Sequence, residues 1–392
     1  MNLDISAMQQ DLRAAKLDGW LFYDFRGRDP IAKRILQLPD GMRTRRWFYF
    51  VPAKGQPKKL VHKIERASLE TVPGDTLYYS GLDEMAKNLK KALGRAKKVA
   101  MQYSPKNAIP YVSMVDAGTV EFVRAMGVKV VSSADLVQKY EACWSAVQLE
   151  SHMAAGRAID RIIQEAFAHA ANCVRAKKPL TEYDLKEWIR KKFAEADITA
   201  DDGPDVAVNA NASDPHYDAK QNSCSPIREG DLLLLDVWGR QKTAGSVYYD
   251  VTWVGYLGTK VPEKFAKVFR VVSQARDKAV ELILSSIRAG KPLQGWQVDQ
   301  AARRVIERAG YGKYFYHRTG HNIGESIHGN GANMDGLESH DERRLIPRTC
   351  NSVEPGIYLP EFGIRSEVDV YIGEKEARVT GAVQTQILPL LA

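Results

Sequence analysis

Only four cysteines, Cys143, Cys173, Cys224 and Cys350, occur in 392 residues, and no two stand at CxxC spacing. That pattern excludes a disulfide framework and fits reduced thiols in a cytoplasmic protein. Long apolar runs are missing too: none approaches the roughly 18–20 residues that a membrane-crossing helix needs. The opening Met1-Asn-Leu-Asp-Ile-Ser lacks a basic region followed by an apolar one, so no secretory leader is expected. A basic stripe suited to nucleic acid is also absent. The net charge is +8, but residues 1–140 hold 24 Lys+Arg against 14 Asp+Glu, which leaves 32 against 34 for the remainder. Only Gly41-Met-Arg-Thr-Arg-Arg46-Trp-Phe-Tyr-Phe interleaves arginine with aromatics, and those aromatics read as the next strand. Neither a membrane nor a nucleic acid is therefore an expected partner.

What remains is an ordinary globular composition, 44% hydrophobic and 27% charged, long enough for two cores. Over 1–140 helix and strand patterns alternate. Helices are expected near 4–17, 83–93 and 115–126, and strands at 19–24, 46–51, 59–64, 99–103 and 128–132. This is an α/β layer domain. A long helical pattern begins near 146, which places the domain boundary at 145/146.

Beyond that boundary the sequence repeats itself. Arg175-Ala-Lys-Lys-Pro-Leu180 returns as Arg288-Ala-Gly-Lys-Pro-Leu293, an offset of 113. Each copy follows a long helix (147–174 and 262–287) and precedes a shorter one (181–196 and 295–309). Each is then followed by strands carrying a pair of acids. The expected fold is a duplicated unit of pseudo-twofold symmetry with its site between the halves.

The acid pairs carry the chemistry. Asn351-Ser-Val-Glu354-Pro-Gly-Ile-Tyr-Leu-Pro-Glu-Phe-Gly-Ile-Arg365-Ser-Glu367 reads as a hairpin turning at Pro360-Glu361, which sets Glu354 beside Glu367. Asp231-Leu-Leu-Leu-Leu-Asp236-Val-Trp-Gly and Ser246-Val-Tyr-Tyr-Asp250-Val-Thr-Trp read as a second hairpin, pivoting near Thr243 and opposing Asp236 and Asp250. Like charges opposed on a sheet repel, and buried carboxylates are costly unless a cation joins them. For the first hairpin alone, an exposed glutamate and a Glu–Arg365 pair remain an open alternative. Two such hairpins in apolar strands, with His317-Arg-Thr-Gly-His321-Asn-Ile-Gly-Glu-Ser-Ile-His328 between them, form a ligand set suited to a pair of divalent ions.

In this order the runs Leu235-Asp236-Val, Tyr249-Asp250-Val-Thr, Thr319-Gly-His321-Asn-Ile-Gly, Ser352-Val-Glu354-Pro-Gly-Ile-Tyr and Ile364-Arg365-Ser-Glu367 resemble the pita-bread metallopeptidases, which include methionine aminopeptidase, aminopeptidase P and prolidase. The resemblance covers 146–392. It implies an α+β chain: a pita-bread (creatinase/aminopeptidase-like) catalytic domain with internal pseudo-twofold duplication over 146–392, preceded by a smaller α/β creatinase-type domain over 1–145. It also implies that Asp236 holds a first metal, that Asp250 and Glu367 bridge, and that His321 and Glu354 hold the second. His328, His317 and Glu354 are the implied catalytic residues. His216, His317, His328 and Arg365 are the implied substrate-binding ones. Two divalent ions are expected per chain, manganese first, with zinc or cobalt as alternatives, and the subunits are expected to pair as a homodimer.

Some features depart from the family. Thirteen residues separate Asp236 from Asp250 where ten are common. Trp253 and Asn322 stand where arginine and glycine are frequent, and both are expected to reshape substrate contacts. His62, His152, His169 and His340 match nothing. The implied function is hydrolysis of the Xaa-Pro bond of dipeptides by a metal-bridging hydroxide, on proline-containing dipeptides or short peptides. The rival is aminopeptidase P, with the same chemistry on longer peptides. Arg43, Arg45 and Arg46 are candidates to pair the free carboxylate of a dipeptide. Creatinase-type amidinohydrolases and non-catalytic modules of this fold lack the five ligands.

Overall fold

The computed structural model describes residues 3–392, and the chain divides into two compact units between Glu141 and Ala142. The seam lies four residues before the expected 145/146 because Trp144 is anchored in the second unit. Its backbone N–H donates to the Arg348 carbonyl (2.6 Å) and its indole to the Ile323 carbonyl (3.2 Å).

The first unit runs α1 (Ile5–Ala14), β1 (Gly19–Asp24), α2 (Pro30–Ile35), β2 (Trp47–Pro52), β3 (Lys58–His62), β4 (Asp75–Tyr79), α3 (Leu82–Leu93), β5 (Lys98–Met101), α4 (Ala117–Arg124), β6 (Lys129–Ser132) and α5 (Ala134–Val137). Its sheet has the order β4-β3-β2-β1-β5-β6, with β2 antiparallel to both neighbours and the other pairings parallel. All six residues of β1 are buried, because separate apolar clusters cover the two faces of the sheet. The sequence reading missed α2, although Asp29 caps it and Pro30 fills its first turn, both helix-start signals. The arginine-rich loop before β2 is tied down locally. Glu65 accepts from the Thr44 N–H, the Thr44 hydroxyl and the Arg45 N–H, while Arg43 donates to the Ser68 and Pro39 carbonyls. Arg43 is therefore engaged within its own unit.

The second unit runs α6 (Ala146–Arg175), α7 (Glu182–Glu195), β7 (Ile198–Thr199), β8 (Asp205–Val208), β9 (Leu232–Gln241), β10 (Tyr249–Tyr256), α8 (Glu263–Arg288), α9 (Gly295–Arg308), β11 (Asn322–Ile323), β12 (Thr349–Val353), β13 (Gly356–Leu359), β14 (Phe362–Arg365), β15 (Val368–Ile372), β16 (Ala377–Val379) and β17 (Leu388–Pro389). The duplication is visible in the helix ends. Both α6 and α8 stop at the offset of 113, and α7 and α9 match it at both termini. The short helices start the same way, with capping boxes at Thr181/Asp184 and Gln294/Gln297. Helices α6 and α7 pack on β9 and β10 around Ile159, Ile163, Leu185 and Val251. Helices α8 and α9 cover the second set of strands around Val272, Ala279, Val298 and Ile364.

Both acid-bearing ladders form, with one difference in register. In the second half Val353 pairs Val368 and Gly356 pairs Arg365, so Glu354 and Glu367 fall at matching positions in the break between the two ladders. In the first half Asp250 pairs Trp238, and Asp236 pairs Thr252. Asp236 and Asp250 are thus diagonal neighbours on one face, not directly opposed as expected. The cause is the turn, which pivots at Ala244 and not at Thr243, and a one-residue shift of the pivot moves the pairing by two.

Candidate active site

Five side chains, one from mid-strand and four from strand ends, meet in the second unit. Asp236 stands mid-β9 and Asp250 near the start of β10. His321 precedes β11, Glu354 follows β12, and Glu367 lies between β14 and β15. Asp250, His321 and Glu367 are buried and present ligand atoms within 4.8 Å of one another. His321 Nε2 is 3.4 Å from Asp250 and 3.5 Å from Glu354. Close backbone packing fixes this imidazole. A Cβ on Gly320 would lie 2.0 Å from the Ser352 carbonyl oxygen, so only glycine lets the chain lie against β12 there.

The donor chemistry fits a divalent cation. Asp236 Oδ1, Asp250 Oδ1 and Glu367 Oε1 are buried with no hydrogen-bond partner. Burial pushes the Asp250 and Glu367 carboxyls well above the usual range. Asp236 and Glu354 add to this at Asp250, and Asp250 is the largest charge contribution at Glu367. Burial lowers His321 to about 4, so the ring is neutral. Its Nδ1–H donates to the Asn322 carbonyl (3.2 Å), which turns the Nε2 lone pair toward two carboxylates. Lone pairs and anionic oxygens facing one another need a cation between them.

Arg365 is the counter-charge. It pairs with Asp236 and donates to the Thr252 hydroxyl (3.0 Å) and to the Tyr358 hydroxyl (3.2 Å). Thr252 in turn donates to Glu367 (2.7 Å). Beneath β10, Asp369 accepts from the Asp250 N–H (2.8 Å). The sequence reading did not name Thr252, Tyr358 or Asp369. Alternation along β10 from Asp250 was the available signal for Thr252.

These groups open into a cavity of about 720 Å³ whose walls include His216, His317, His328, Trp238, Asp205 and Glu338. His328 packs edge-on against His321 (4.4 Å between ring centres), and enclosure, then His321 and Arg318, push its pKa down. No hydrogen bond engages the ring nitrogens of His328 among the described residues, and His216 lies exposed in the same cavity. His317 differs. Its Nδ1–H donates to the Arg318 carbonyl (2.6 Å) and its Nε2 accepts from the Tyr358 hydroxyl (2.7 Å), so both nitrogens are engaged. Burial lowers it to about 3, which keeps it neutral and able to accept.

Two expected contributors turn away from the cavity. Trp253 faces the α6 side with Tyr249 and Val251, because it alternates with Asp250 and Thr252 along β10. Asn322 is fully buried, donates to the Cys350 carbonyl (2.9 Å) and accepts from the Gly331 N–H (2.8 Å). Both shape the scaffold.

Known proteins resemble this chain along most of its length. The pattern of Metallopeptidase family M24 matches residues 150–374, more than half of the chain. A Mycobacterium tuberculosis protein named "Probable dipeptidase PepE" is 28% identical over 343 residues, covering 83% of this chain and 81% of that one. The Lactobacillus helveticus Xaa-Pro dipeptidase is 32% identical over 164 residues, 41% of this chain and 40% of its own. Among solved structures, Mycobacterium ulcerans dipeptidase PepE superposes with a TM-score of 0.72 at 23% identity, over 98% of this chain and 96% of that one. Thermococcus sibiricus prolidase superposes with a TM-score of 0.62 at 20% identity, over 98% of each. These likenesses establish the pita-bread fold with its preceding α/β unit, and with the matched pattern they make the chain a hydrolase. It belongs to Metallopeptidase family M24.

Proposed function

We propose that this metallopeptidase is an Xaa-Pro dipeptidase working with two divalent ions. Asp236, Asp250 and Glu367 would hold one, and Asp250, Glu367, His321 and Glu354 the other. The observation that carries the reading is the set of three buried carboxylate oxygens without partners around a neutral imidazole. A carboxylate-rich donor set with one imidazole suits manganese before zinc or cobalt. Such ions supply water ionised at neutral pH and a clamp for the tetrahedral intermediate.

The remaining groups have distinct tasks. Glu354, whose Oε1 accepts from the Ser352 hydroxyl (3.1 Å), takes the proton of the attacking water and passes it to the leaving nitrogen. His328, neutral and with unengaged nitrogens, donates to the scissile carbonyl as it becomes an oxyanion. His317 acts through Tyr358, holding that hydroxyl between itself and Arg365. His216 lines the proline side. Proline has no N–H and a fixed φ, so recognition has to come from side chains of this kind.

Aminopeptidase P activity is the second reading, favoured by the full-length likeness to an X-Pro aminopeptidase structure, with a TM-score of 0.62. Hydrolysis of Ala-Pro beside Ala-Pro-Ala, after chelation and reloading with separate metals, tests the two. Cleavage of the dipeptide alone supports the dipeptidase, equal cleavage supports the alternative, and cleavage of neither contradicts both.

A further inference from the structure

One carboxylate in the cavity has no assigned work. Asp205 opens β8 and pairs directly with Asp236 in the β8–β9 ladder. Opposed residues of an antiparallel pair project from the same face, about 5 Å apart. Across that face the sequence is therefore Asp205 on β8, Asp236 on β9 and Thr252 on β10, with Asp250 two residues along. Asp205 flanks the ligand cluster on the side away from Asp250.

Each neighbouring charge at that end is already engaged. Lys186 pairs with Asp218, and Arg190 donates to the Gly203 carbonyl (2.8 Å) and to Glu187 (2.9 Å). Asp202 accepts from the Trp238 indole (3.3 Å). Among the other acids of the cavity wall, Asp214 accepts from the His216 N–H and Glu338 from the Arg318 N–H. Asp205 alone, outside the five-ligand set, has a half-buried carboxylate that no hydrogen bond or ion pair reaches among the described residues. An enclosed carboxyl group without a donor is costly to ionise, and a cation from outside lowers that cost.

We propose that Asp205 is the acceptor for a cationic side chain on the residue before the scissile bond. The preferred substrates are then dipeptides with N-terminal lysine or arginine. This inference rests on the dipeptidase reading above. The carbonyl to be cleaved belongs among Asp250, His321 and Glu367. The flank at Asp205, one strand beyond Asp236, then receives the side chain of the first residue, and its lining gives that side chain a negative end. Lysine and arginine have the reach and carry three and five donors respectively.

The test compares Lys-Pro with norleucyl-Pro, which has the same carbon chain without the ammonium group, on the metal-loaded full chain. A charge-assisted hydrogen bond in a partly enclosed site is worth about a tenfold to hundredfold preference in kcat/KM. The expected result is that preference for Lys-Pro, weakening as salt rises. In Asp205→Asn the ratio of the two rates falls to near one while bound metal stays at the wild-type level. Equal rates on the two dipeptides in the wild type, or a loss of the same factor on both in the variant, overturns the assignment. Lys-Ala and norleucyl-Ala carry the same comparison if proline dipeptides are not cleaved, so the proline reading and the Asp205 reading fail separately. Product inhibition by lysine against norleucine gives the ratio once more without turnover of either dipeptide.

Discussion

His152, outside the cavity, gives the most direct quantitative test of how the site is supported. It lies fully buried on α6, its Nδ1–H donating to the Tyr248 carbonyl (2.6 Å) and its Nε2 accepting from the Thr380 hydroxyl (2.7 Å). Trp144 and Tyr249 pack on the ring, with centres 5.0 and 5.3 Å away. Asp369 is 3.9 Å away, but burial and Asp250 push its own carboxyl well up, so it offers little counter-charge. Burial, followed by the nearby Arg378 charge, lowers His152 from 6.5 to about 4. The unfolded chain therefore takes a proton near pH 6.5 that the folded unit refuses until about pH 4. Stability is fully present above pH 6.5 and is lost as pH falls toward 4, by about 3 kcal/mol for this one group. Urea unfolding from pH 8 to 4 measures it, with fluorescence of the adjacent Trp144 as one probe. In His152→Gln, which keeps a donor and an acceptor but cannot titrate, that share of the slope should vanish. Parallel stability curves for the two proteins would refute the assignment.

Three further outcomes follow from the geometry. His328→Ala should keep its metal content and lose about 10²–10³ in kcat, the worth of one oxyanion donor, and metal lost together with activity would make His328 a ligand instead. Gly320→Ala drives a methyl into the Ser352 carbonyl, so it should cost about 3 kcal/mol and reduce bound metal by shifting His321; an unchanged Tm would contradict that packing. Replacing the free carboxylate of Ala-Pro by its amide should cut kcat/KM about tenfold or more if a cation pairs that group, whereas equal rates indicate an aminopeptidase P.

How far the sequence carried depended on periodicity. The 113-residue repeat placed α6 to α9 within a residue or two, because long helices announce both ends through caps and apolar spacing. The Glu354–Glu367 register was legible because the Pro360-Glu361 turn lies midway between them. The Asp236–Asp250 register slipped by two residues because the polar connection between the strands does not mark its own pivot, which falls at Ala244 and not at Thr243. Asp205 escaped notice because its place beside Asp236 is set by a four-residue strand far away in sequence. Tyr358 and Thr252 are hydroxyls in apolar strands, and the bonds that single them out exist only after folding. Trp253 and Asn322 were marked for their types, and only their faces in the fold show that they serve the core.

Metal analysis of the wild-type chain beside Asp250→Asn tests the central claim most directly, since Asp250 is the residue assigned to both ions. The account predicts two divalent ions per chain in the wild type. In a folded Asp250→Asn variant it predicts one or none, with no measurable hydrolysis of Ala-Pro. Two tightly bound ions and full activity in that variant, or no bound ion in the wild type, would contradict it.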